Sequence, residues 1–463
     1  MIQGIKALFS KKSKVVTRFA PSPTGLLHAG SYRTAVFSYI FAKQNEGRFV
    51  LRIEDTDTIR SKKEYEDNIL DSLTWLALPY DEMHRQSERT AIYKEYLEKL
   101  LADGKAYLSK EEPAAADEQP KKAGAKDAPR RTEVIRFKNP NKKVRFHDLI
   151  RGDIEFDTTE LGDFVIAKSV TEPIFHLAVV LDDYLMGITH IIRGDDHISN
   201  TPRQILIQRA LGAPEPVYAH IPLLLAPDRS KLSKRHGALP LTEYRERGYL
   251  PEAMVNFLAL LGWNPGTAQE LFAMDELIAE FDFDRVQKSG AIFNEEKLKW
   301  MNKEYLKRKP AAFITALVAG AIGKPESAVT PAVAAVIMER ASTAPEIKAL
   351  YEAGEYRYFF EKPQYDAAKL LWKDEKDAAR TRGHLEFALA AVEKLPAGAA
   401  FTQAAVKEAL WPYAEQNGRG NVLWPMRFSL SGAQKSPDPF ALSELLGREE
   451  TLARLKIAID KLK

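Results

Sequence analysis

The stretch that decides the fold of this 463-residue chain reads Val15-Val-Thr-Arg-Phe-Ala-Pro21-Ser-Pro-Thr-Gly-Leu-Leu-His28-Ala-Gly-Ser31. The run before Pro21 is mainly β-branched or aromatic and stops at that proline, which is typical of a short buried strand. Helix-compatible residues follow from Ser31 to about Lys43, and Arg48–Glu54 has the pattern of a second strand. Strand, turn, helix and strand make a βαβ unit, which predicts a parallel sheet with a right-handed crossover.

The turn between that strand and that helix is a candidate phosphate site. A helix that begins near Ser31 presents free backbone N–H groups and the positive end of its dipole to an anion. Gly30 lets the backbone come close to the anion because it has no Cβ. His28 lies on the approach, where it can donate to a phosphate oxygen whose negative charge grows during a reaction.

A second motif, Lys231-Leu-Ser-Lys234-Arg235, lies near the middle of the chain. Its lysines can supply point charges to leaving phosphates from a flexible loop. A solvated surface loop would explain these lysines alone, and an ordinary loop histidine would explain His28 alone. As a pair, in this order, the two motifs predict loops that hold a nucleoside triphosphate between them. The chain has no G-x-x-x-x-G-K-[ST] motif, which excludes a P-loop nucleotide site.

The composition excludes several kinds of site. The chain has no cysteine, so disulfides, cysteine-bound zinc and thiol nucleophiles are excluded. Its nine histidines show no metal-ligand spacing such as H-E-x-x-H. No apolar run approaches the ~20 residues that a membrane-spanning helix needs, so we expect a cytoplasmic protein. Residues 1–45 contain no acidic residue, although the net charge of +3 is too small to indicate a nucleic-acid partner by itself.

Changes of composition along the chain predict its organisation. Residues 109–131 have almost no large apolar residue and read as a solvated segment within an insertion. After about residue 245 strand patterns fade and helical patterns dominate. We expect an α/β fold in which a Rossmann-type parallel-sheet domain is split by an α+β insertion and followed by an all-α C-terminal half. The expected regions are a basic N-terminal tail (1–14), the first half of the sheet domain (15–107), the insertion (108–175), the second half with the lysine loop (176–245), a helical region (246–310) and an all-helical domain (311–463).

The two motifs resemble the signatures of class I aminoacyl-tRNA synthetases, and most closely those of bacterial-type glutamyl-tRNA synthetases. Ser31 stands in place of the second histidine of the first signature, and Arg235 in place of the final serine of the second. Both replacements occur within the glutamyl branch. The resemblance covers nearly the whole chain after residue 14 and includes Arg52-Ile-Glu-Asp-Thr-Asp57, Asp182-Asp-Tyr-Leu-Met186, Ile192-Arg-Gly-Asp-Asp-His197, Asn200-Thr-Pro-Arg203, Asn256–Trp263 and Leu423-Trp-Pro-Met-Arg427.

The resemblance implies a glutamate–tRNA ligase that uses ATP and Mg²⁺ to form glutamyl-adenylate and then charges the 3′-terminal adenosine of tRNA-Glu. It also implies a monomer whose activation step waits for tRNA. The implied catalytic residues are His28, Lys231 and Lys234. The implied ATP-binding residues are Pro21, Gly25, His28, Gly30, Ser31, Lys231, Ser233, Lys234 and Asp196. The implied glutamate-binding residues are Arg18, Ser22, Glu54, Phe175, Val179 and Arg193.

Selection of a side-chain carboxylate needs fixed cations, and the fork of a guanidinium group matches two carboxylate oxygens. Arg18 and Arg193 both end strands, at the edge where open parallel sheets bind ligands. Glutamine would leave both arginines without a counter-charge, which disfavours it. Phe175 and Val179 depart from relatives that carry Tyr and Asn at these positions, and Phe175 lacks a hydroxyl group that could contact the substrate.

The expected contacts with tRNA are less specific in the sequence. The family grips the acceptor end with the insertion and contacts the stem with the region 246–310. Arg340 falls where relatives carry an arginine that tests the anticodon, on weak local similarity. The basic stretches Lys121–Arg131, Lys138–Arg145 and Arg203–Arg209 fit a solvated surface as well as they fit RNA.

Several alternatives stay open at the level of sequence. The enzyme could charge tRNA-Gln as well as tRNA-Glu, or the chain could be an inactive tRNA-binding paralogue. A glutaminyl-tRNA synthetase usually ends in β-barrels, which the helical C-terminal half does not resemble. The shorter paralogue that glutamylates a modified tRNA base lacks an anticodon domain, and a small nucleotidyltransferase would not need the helical half.

Overall fold

The computed structural model of the chain describes residues 14–110, 133–230, 232, 239–373 and 375–463. The expectations for residues 1–13 and 111–130, and those for Lys231, Ser233 and Lys234, lie outside the described residues. The chain forms two compact units, the first extending to Asn302 and the second running from Lys303 to Lys463.

The first unit contains short strands and interleaved helices. Its strands are, in chain order, β1 (Val16–Phe19), β2 (Arg48–Ile53), β3 (Glu82–Arg85), β4 (Ala106–Lys110), β5 (Glu133–Phe137), β6 (Lys143–Asp148), β7 (Gly152–Asp157), β8 (Phe164–Ser169), β9 (Glu172–Pro173), β10 (His190–Gly194), β11 (Val217–Ile221), β12 (Leu224–Leu225) and β13 (Ala291–Ile292). Its helices are α1 (Ala29–Gln44), α2 (Lys63–Trp75), α3 (Thr90–Ala102), α4 (Phe175–Leu185), α5 (Thr201–Leu211), α6 (Leu241–Glu246), α7 (Pro251–Leu260) and α8 (Met274–Glu280).

The predicted βαβ unit is present as β1, α1 and β2, and β1 pairs with β2 in parallel. The chain turns sharply at Gly47, where a Cβ would lie 1.9 Å from the carbonyl oxygen of Val15. Only glycine allows that approach, and the next residue, Arg48, donates its N–H to the same oxygen over 2.9 Å. Gly47 therefore allows the chain to turn from the end of α1 into β2, where the sequence predicts the helix to stop.

The strands of the sheet domain follow the order β3-β2-β1-β10-β11. β2 pairs with β3, and β10 pairs with β11, both in parallel. β10 lies beside β1, and the N–H of Thr189 donates to the carbonyl oxygen of Val16 over 2.9 Å. Strands from both halves of the predicted domain therefore lie side by side, with β1 and β10 as neighbours at the centre.

Both faces of this sheet are covered, as parallel sheets require. One core contains Leu51 of β2 and Ile192 of β10, packed with residues of α1. The other contains the neighbouring residues Val50 and Ile191, packed with residues of α3, α4 and α5. Because successive strand side chains point to opposite faces, the apolar runs of β2 and β10 supply both cores.

The described part of the predicted α+β insertion contains short strands. The strands β4, β5, β8 and β9 form an antiparallel sheet. The hairpin of β6 and β7 is different, because β6 also pairs with β11 of the sheet domain at Asp148 and Tyr218. One hairpin of the insertion therefore extends the sheet of the sheet domain.

The second unit is helical throughout its described residues, as predicted. Helix α9 (Glu295–Lys307) contains the last residues of the first unit and the first residues of the second. The remaining helices are α10 (Ala311–Ile322), α11 (Pro331–Met338), α12 (Ala344–Glu352), α13 (Ala378–Glu393), α14 (Gln403–Asn417), α15 (Arg419–Ser431), α16 (Pro439–Leu446) and α17 (Arg448–Lys461). Two apolar cores hold them, one among α10–α12 and one among α13–α17. No helix in the described ranges combines the length and the apolarity needed to cross a membrane.

Candidate active site

A cavity of about 470 Å³ lies at the carboxyl ends of β1, β2, β10 and β11. Most of the residues predicted for the two substrates line this one cavity. They are Arg18, Pro21, Ser22, His28, Gly30, Ser31, Glu54, Phe175, Val179, Arg193 and Asp196. Gly25 is not among the lining residues, and the predicted Lys231, Ser233 and Lys234 lie outside the described residues.

The histidine turn leads into α1 two residues earlier than predicted, because the helix begins at Ala29. A Cβ on Gly30 would lie 2.6 Å from a methyl carbon of Leu224 and 3.0 Å from Nδ1 of His28. Packing of the protein itself therefore disfavours a larger residue here, since Leu224 and His28 would have to shift. The close approach of an anion to Gly30 stays a prediction.

Leu232 within the lysine motif and the described residues after the motif contact β12 and the histidine turn. Leu232 lines the cavity and donates its N–H to the carbonyl oxygen of Leu224 over 2.9 Å. Beyond the motif, the carbonyl oxygen of Leu239 accepts from the N–H of Ala29 at 3.3 Å, and Pro240 forms a β-bridge with His28. The chain therefore enters and leaves the lysine motif beside the residues predicted to bind phosphates.

Arg193 lines the cavity, and all its side-chain hydrogen-bond partners among the described residues are neutral. Its Nε donates to Nε2 of His220 over 3.2 Å, its Nη1 to Oε1 of Gln204 over 2.7 Å and its Nη2 to Oγ1 of Thr201 over 2.8 Å. The guanidinium also lies 5.6 Å from the ring centre of Tyr218. No carboxylate of the described residues forms an ion pair with Arg193. Its positive charge is held in place without a direct ion pair, although Asp183 and Glu54 lie near enough to act on it electrostatically.

Arg18 lines the same cavity but forms an ion pair with a buried carboxylate. Its Nε lies 3.2 Å from Oδ1 of Asp183, and its Nη1 donates to the carbonyl oxygen of Ile192. The same Asp183 oxygen accepts from Nη1 of Arg52 over 2.7 Å, and Nη2 of Arg52 donates to Oε1 of Glu54 over 3.0 Å. Two arginines and two carboxylates thus form a buried, charge-compensated network behind the cavity.

Asp182 extends this network away from the cavity. Its carboxylate accepts from Nε of Arg89 over 2.6 Å, from Nε2 of Gln86 over 2.9 Å and from the hydroxyl of Tyr93 over 2.8 Å. It also lies 3.9 Å from Nε of Arg52. The fully buried carboxylate therefore has neutral and cationic donors around it, which meets the requirement for burying a charge.

The environment shifts several pKa values. Burial lowers the pKa of Arg193 to about 10. Burial by itself raises the pKa of Asp183, but the charges of Arg52 and Arg18 outweigh it, so that this pKa lies below its usual range. Burial lowers the pKa values of His176 and His197 to about 4, and nearby arginines add to the effect. The histidines near Arg193 are therefore neutral at pH 7.

The structure adds cavity residues that the sequence motifs did not single out. Arg33 on α1 lines the cavity and is buried, with its guanidinium donating to the carbonyl oxygens of Leu261 and Pro222. Burial lowers its pKa to about 9. Thr34 and His197 also line the cavity. The sequence clue that could have identified Arg33 as a site residue is its charge, because it lies in a helix whose other residues are mostly buried.

Metal ligands and the RNA-binding arginine receive less support from geometry. In the described ranges, no group of three or more histidine, aspartate or glutamate side chains is placed to hold a metal ion. Arg340 follows α11 in the second unit, is largely exposed and pairs with Glu355. Its role in reading an anticodon stays a prediction.

Comparison with known proteins identifies the family. Residues 14–300 match the family model described as the catalytic domain of class I tRNA synthetases for E and Q, and residues 293–459 match an anticodon binding domain. A glutamate–tRNA ligase of Oleidesulfovibrio alaskensis is 44% identical over 96% of this chain and 98% of its own length. The chain belongs to the glutamate–tRNA ligase family. As a class I tRNA synthetase, it is an ATP-dependent ligase.

Two further relatives support membership of this family. A glutamate–tRNA ligase of Aquifex aeolicus is 52% identical over 64% of this chain and 67% of its own length. The crystal structure of a glutamate–tRNA ligase from Elizabethkingia meningosepticum, solved in complex with its amino acid, superposes with a TM-score of 0.82. That structure is 35% identical and covers 97% of this chain and all of its own. The similarity therefore extends over both units.

Proposed function

We propose that the chain activates L-glutamate with ATP and transfers it to the 3′-terminal adenosine of tRNA-Glu. The observation that carries the choice of amino acid is Arg193, whose buried positive charge faces a cavity and has only neutral hydrogen-bond partners among the described residues. A buried cation without a counter-ion is costly. A side-chain carboxylate entering the cavity would supply that counter-ion.

The remaining wall of the pocket is consistent with glutamate. Glu54, held by Arg52, would receive the substrate ammonium group, and Ser22 lines the same cavity. Phe175 and Val179 supply apolar surface where some relatives carry polar side chains. With those polar groups gone, rejection of glutamine rests on Arg193, since glutamine would leave its charge unmatched, whereas Arg18 is already paired with Asp183.

The ATP half of the reaction falls to the two signature loops. An oxygen of the glutamate α-carboxylate attacks the α-phosphorus of ATP, the bond to the bridging oxygen breaks, and pyrophosphate leaves. His28 and the start of α1 stabilise charge on the phosphates, and Lys231 and Lys234 neutralise the leaving pyrophosphate. When bound, Mg²⁺ adds further charge neutralisation, and Asp196 is the cavity carboxylate that would meet it, because Glu54 is engaged by Arg52.

The second step transfers the activated amino acid. The terminal 2′-hydroxyl of the tRNA attacks the carbonyl carbon of glutamyl-adenylate, loses its proton, and displaces AMP. We assign the anticodon contacts to the second unit, with Arg340 as the candidate contact residue, because residues 293–459 match an anticodon binding domain. Since Arg340 already pairs with Glu355, RNA would have to compete with that ion pair.

Charging of total tRNA with labelled amino acids tests this function. We expect glutamate to be esterified to tRNA and glutamine to be inert. Lys234→Ala should lower the rate of activation by about 100-fold while weakening tRNA binding far less, and Lys94→Ala, an exposed lysine on α3, should change neither. Charging with glutamine, or equal losses of activation and tRNA binding in Lys234→Ala, would contradict the proposal.

A further inference from the structure

His220 lies near the carboxyl end of β11 and is completely buried between two charged side chains. Its Nδ1 is 2.6 Å from Oδ2 of Asp148, which ends strand β6 of the insertion. Its Nε2 is 3.2 Å from Nε of Arg193. The imidazole therefore bridges a carboxylate of the insertion and the arginine proposed to bind the glutamate side chain.

Asp148 can act in this bridge only as an acceptor. Its carboxylate accepts from the backbone N–H groups of Ile150, Arg151 and His220, at 3.0, 2.8 and 3.0 Å. Burial opposes ionisation, but the hydrogen bonds from His220 and from these backbone groups outweigh it and lower the pKa of Asp148. An ionised carboxylate has no proton to donate. The proton between Asp148 and His220 therefore belongs to Nδ1 of the imidazole.

The position of that proton fixes the other side of the ring. Burial lowers the pKa of His220, and Asp148 only partly opposes it, so the ring is neutral and carries one N–H. With that N–H on Nδ1, the lone pair of Nε2 faces the Nε–H of Arg193 and accepts from it. The opposite tautomer would set two N–H groups against each other.

This arrangement determines which face of Arg193 remains for a ligand. A guanidinium group has five N–H donors, of which His220, Gln204 and Thr201 take one each. One N–H remains on Nη1 and one on Nη2. Because Nε is occupied, a carboxylate can form a bidentate pair only with the two terminal nitrogens.

We propose that His220, set in one tautomer by Asp148, is a positioning residue that holds Arg193 for end-on pairing with the glutamate side chain. This inference rests on the proposed function, since it specifies how that site reads its amino acid. It also gives the insertion an indirect part in amino-acid binding, because Asp148 belongs to β6 and acts through His220 on Arg193 of β10.

Two substitutions separate positioning from general packing. His220→Asn places an amide near Nδ1, where it can donate to Asp148 but cannot reach Arg193. His220→Gln places its amide oxygen near Nε2, where it can accept from Arg193. We expect His220→Asn to raise the KM for glutamate about tenfold, equivalent to ~1.4 kcal/mol, with little change in the KM for ATP. His220→Gln should return the KM for glutamate to within about threefold of wild type.

The matched control is His147→Asn, at an exposed histidine of β6, which should leave both KM values unchanged. Equal KM values for glutamate in His220→Asn and His220→Gln, or parallel rises in the KM values for glutamate and ATP, would overturn the positioning role. A wild-type enzyme that shows no glutamate-dependent activation would instead overturn the proposed function itself.

A measurement on the wild-type protein covers the case in which the variants do not fold. In protein labelled with ¹⁵N-histidine, the His220 signals should report the Nδ1–H tautomer at pH 7. Nε2–H or imidazolium signals from His220 would overturn the inference. Single substitution of each of the other histidines, beginning with the exposed His147, identifies the His220 signals by elimination.

Discussion

Arg18 and Arg193 lie at the ends of adjacent strands, line the same cavity and are almost equally buried, at 5% and 6% exposure. Their surroundings are opposite. Arg18 belongs to a network in which Asp183 and Glu54 compensate the positive charges. Arg193 is held by His220, Gln204 and Thr201, which are neutral. We call these the paired wall (Arg18, Arg52, Glu54, Asp182 and Asp183) and the neutral cage (Arg193, Thr201, Gln204 and His220).

In this one pocket, different residues provide rigidity and substrate recognition. Charges in the paired wall satisfy one another, so they fix the positions of β1, β2 and α4 whether or not a ligand is present. The neutral cage fixes the geometry of one guanidinium group and leaves its charge for the substrate. Pre-organisation of this kind avoids rearranging the protein when the ligand binds.

The largest expected effect is on the stability of the paired wall. Arg52→Ala would leave Asp183 and Glu54 as buried carboxylates with too few cations, and removal of one partner from a buried ion pair costs about 3–5 kcal/mol. Arg48→Ala, on the same strand but in an exposed pair with Glu82, should cost less than about 1 kcal/mol. Urea unfolding measures the free energy of unfolding of both variants, and hydrogen exchange of the backbone amides in β1 and β2 measures the local loss. Equal losses in the two variants would contradict the distinction.

The next effect is on recognition by the neutral cage. Arg193→Ala should lower kcat/KM for glutamate by about 100-fold, because it removes a bidentate, charge-assisted pair worth ~2–3 kcal/mol. ATP binding should remain nearly unchanged. Arg209→Ala, an exposed arginine on α5 that pairs with Glu215, is the matched control and should behave as wild type. An unchanged dependence on glutamate in Arg193→Ala would rule out this role.

Acid should affect the buried histidines His176 and His197 and the paired wall in different pH ranges. The unfolded chain protonates His176 and His197 below pH 6.5, whereas the folded chain, with both pKa values at about 4, does not. Stability therefore falls as the pH drops from 6.5 to 4, by less than the ~1.4 kcal/mol per pH unit limit for each proton. Asp183 has a lowered pKa, so its contribution is lost only below pH 3.8. Urea unfolding of His176→Gln should show a shallower pH slope, and an identical slope would contradict this assignment.

The smallest effect is expected at Arg18. A lysine there can still pair with Asp183 but loses the hydrogen bond to the carbonyl oxygen of Ile192, so Arg18→Lys should lower the free energy of unfolding by about 1 kcal/mol. Arg193→Lys cannot reproduce the fork that three acceptors hold, and its KM for glutamate should rise more than that of Arg18→Lys. Steady-state titration of glutamate compares the two. A larger rise of the KM for glutamate in Arg18→Lys would reverse the roles of the paired wall and the neutral cage.

Much of this site could be predicted from the sequence because its signals are local. The strand, turn and helix around His28 are contiguous, and the strand patterns alone place Arg18 and Arg193 at the ends of strands. The helix begins two residues before its predicted start, because its capping geometry depends on contacts with Leu239 and Pro240, far along the chain.

The supporting side chains could not be predicted in the same way. Arg52 and the Asp182–Asp183 pair stand out as motifs, yet their contact joins β2 to α4 across a large separation in sequence. His220 and Asp148 give even less signal, because each is one polar residue in a strand and acquires its role only when β6 pairs with β11. A charged or polar residue at the carboxyl end of a buried strand is the clue that the sequence offers.

The central claim is that Arg193 makes the pocket select a side-chain carboxylate. The most direct test is ATP–pyrophosphate exchange by the wild-type enzyme, with total tRNA present and with glutamate or glutamine as the only amino acid. The account predicts exchange that depends on glutamate and is absent with glutamine. Comparable exchange with glutamine would contradict it, because a neutral side chain would then satisfy the cage as well as a charged one.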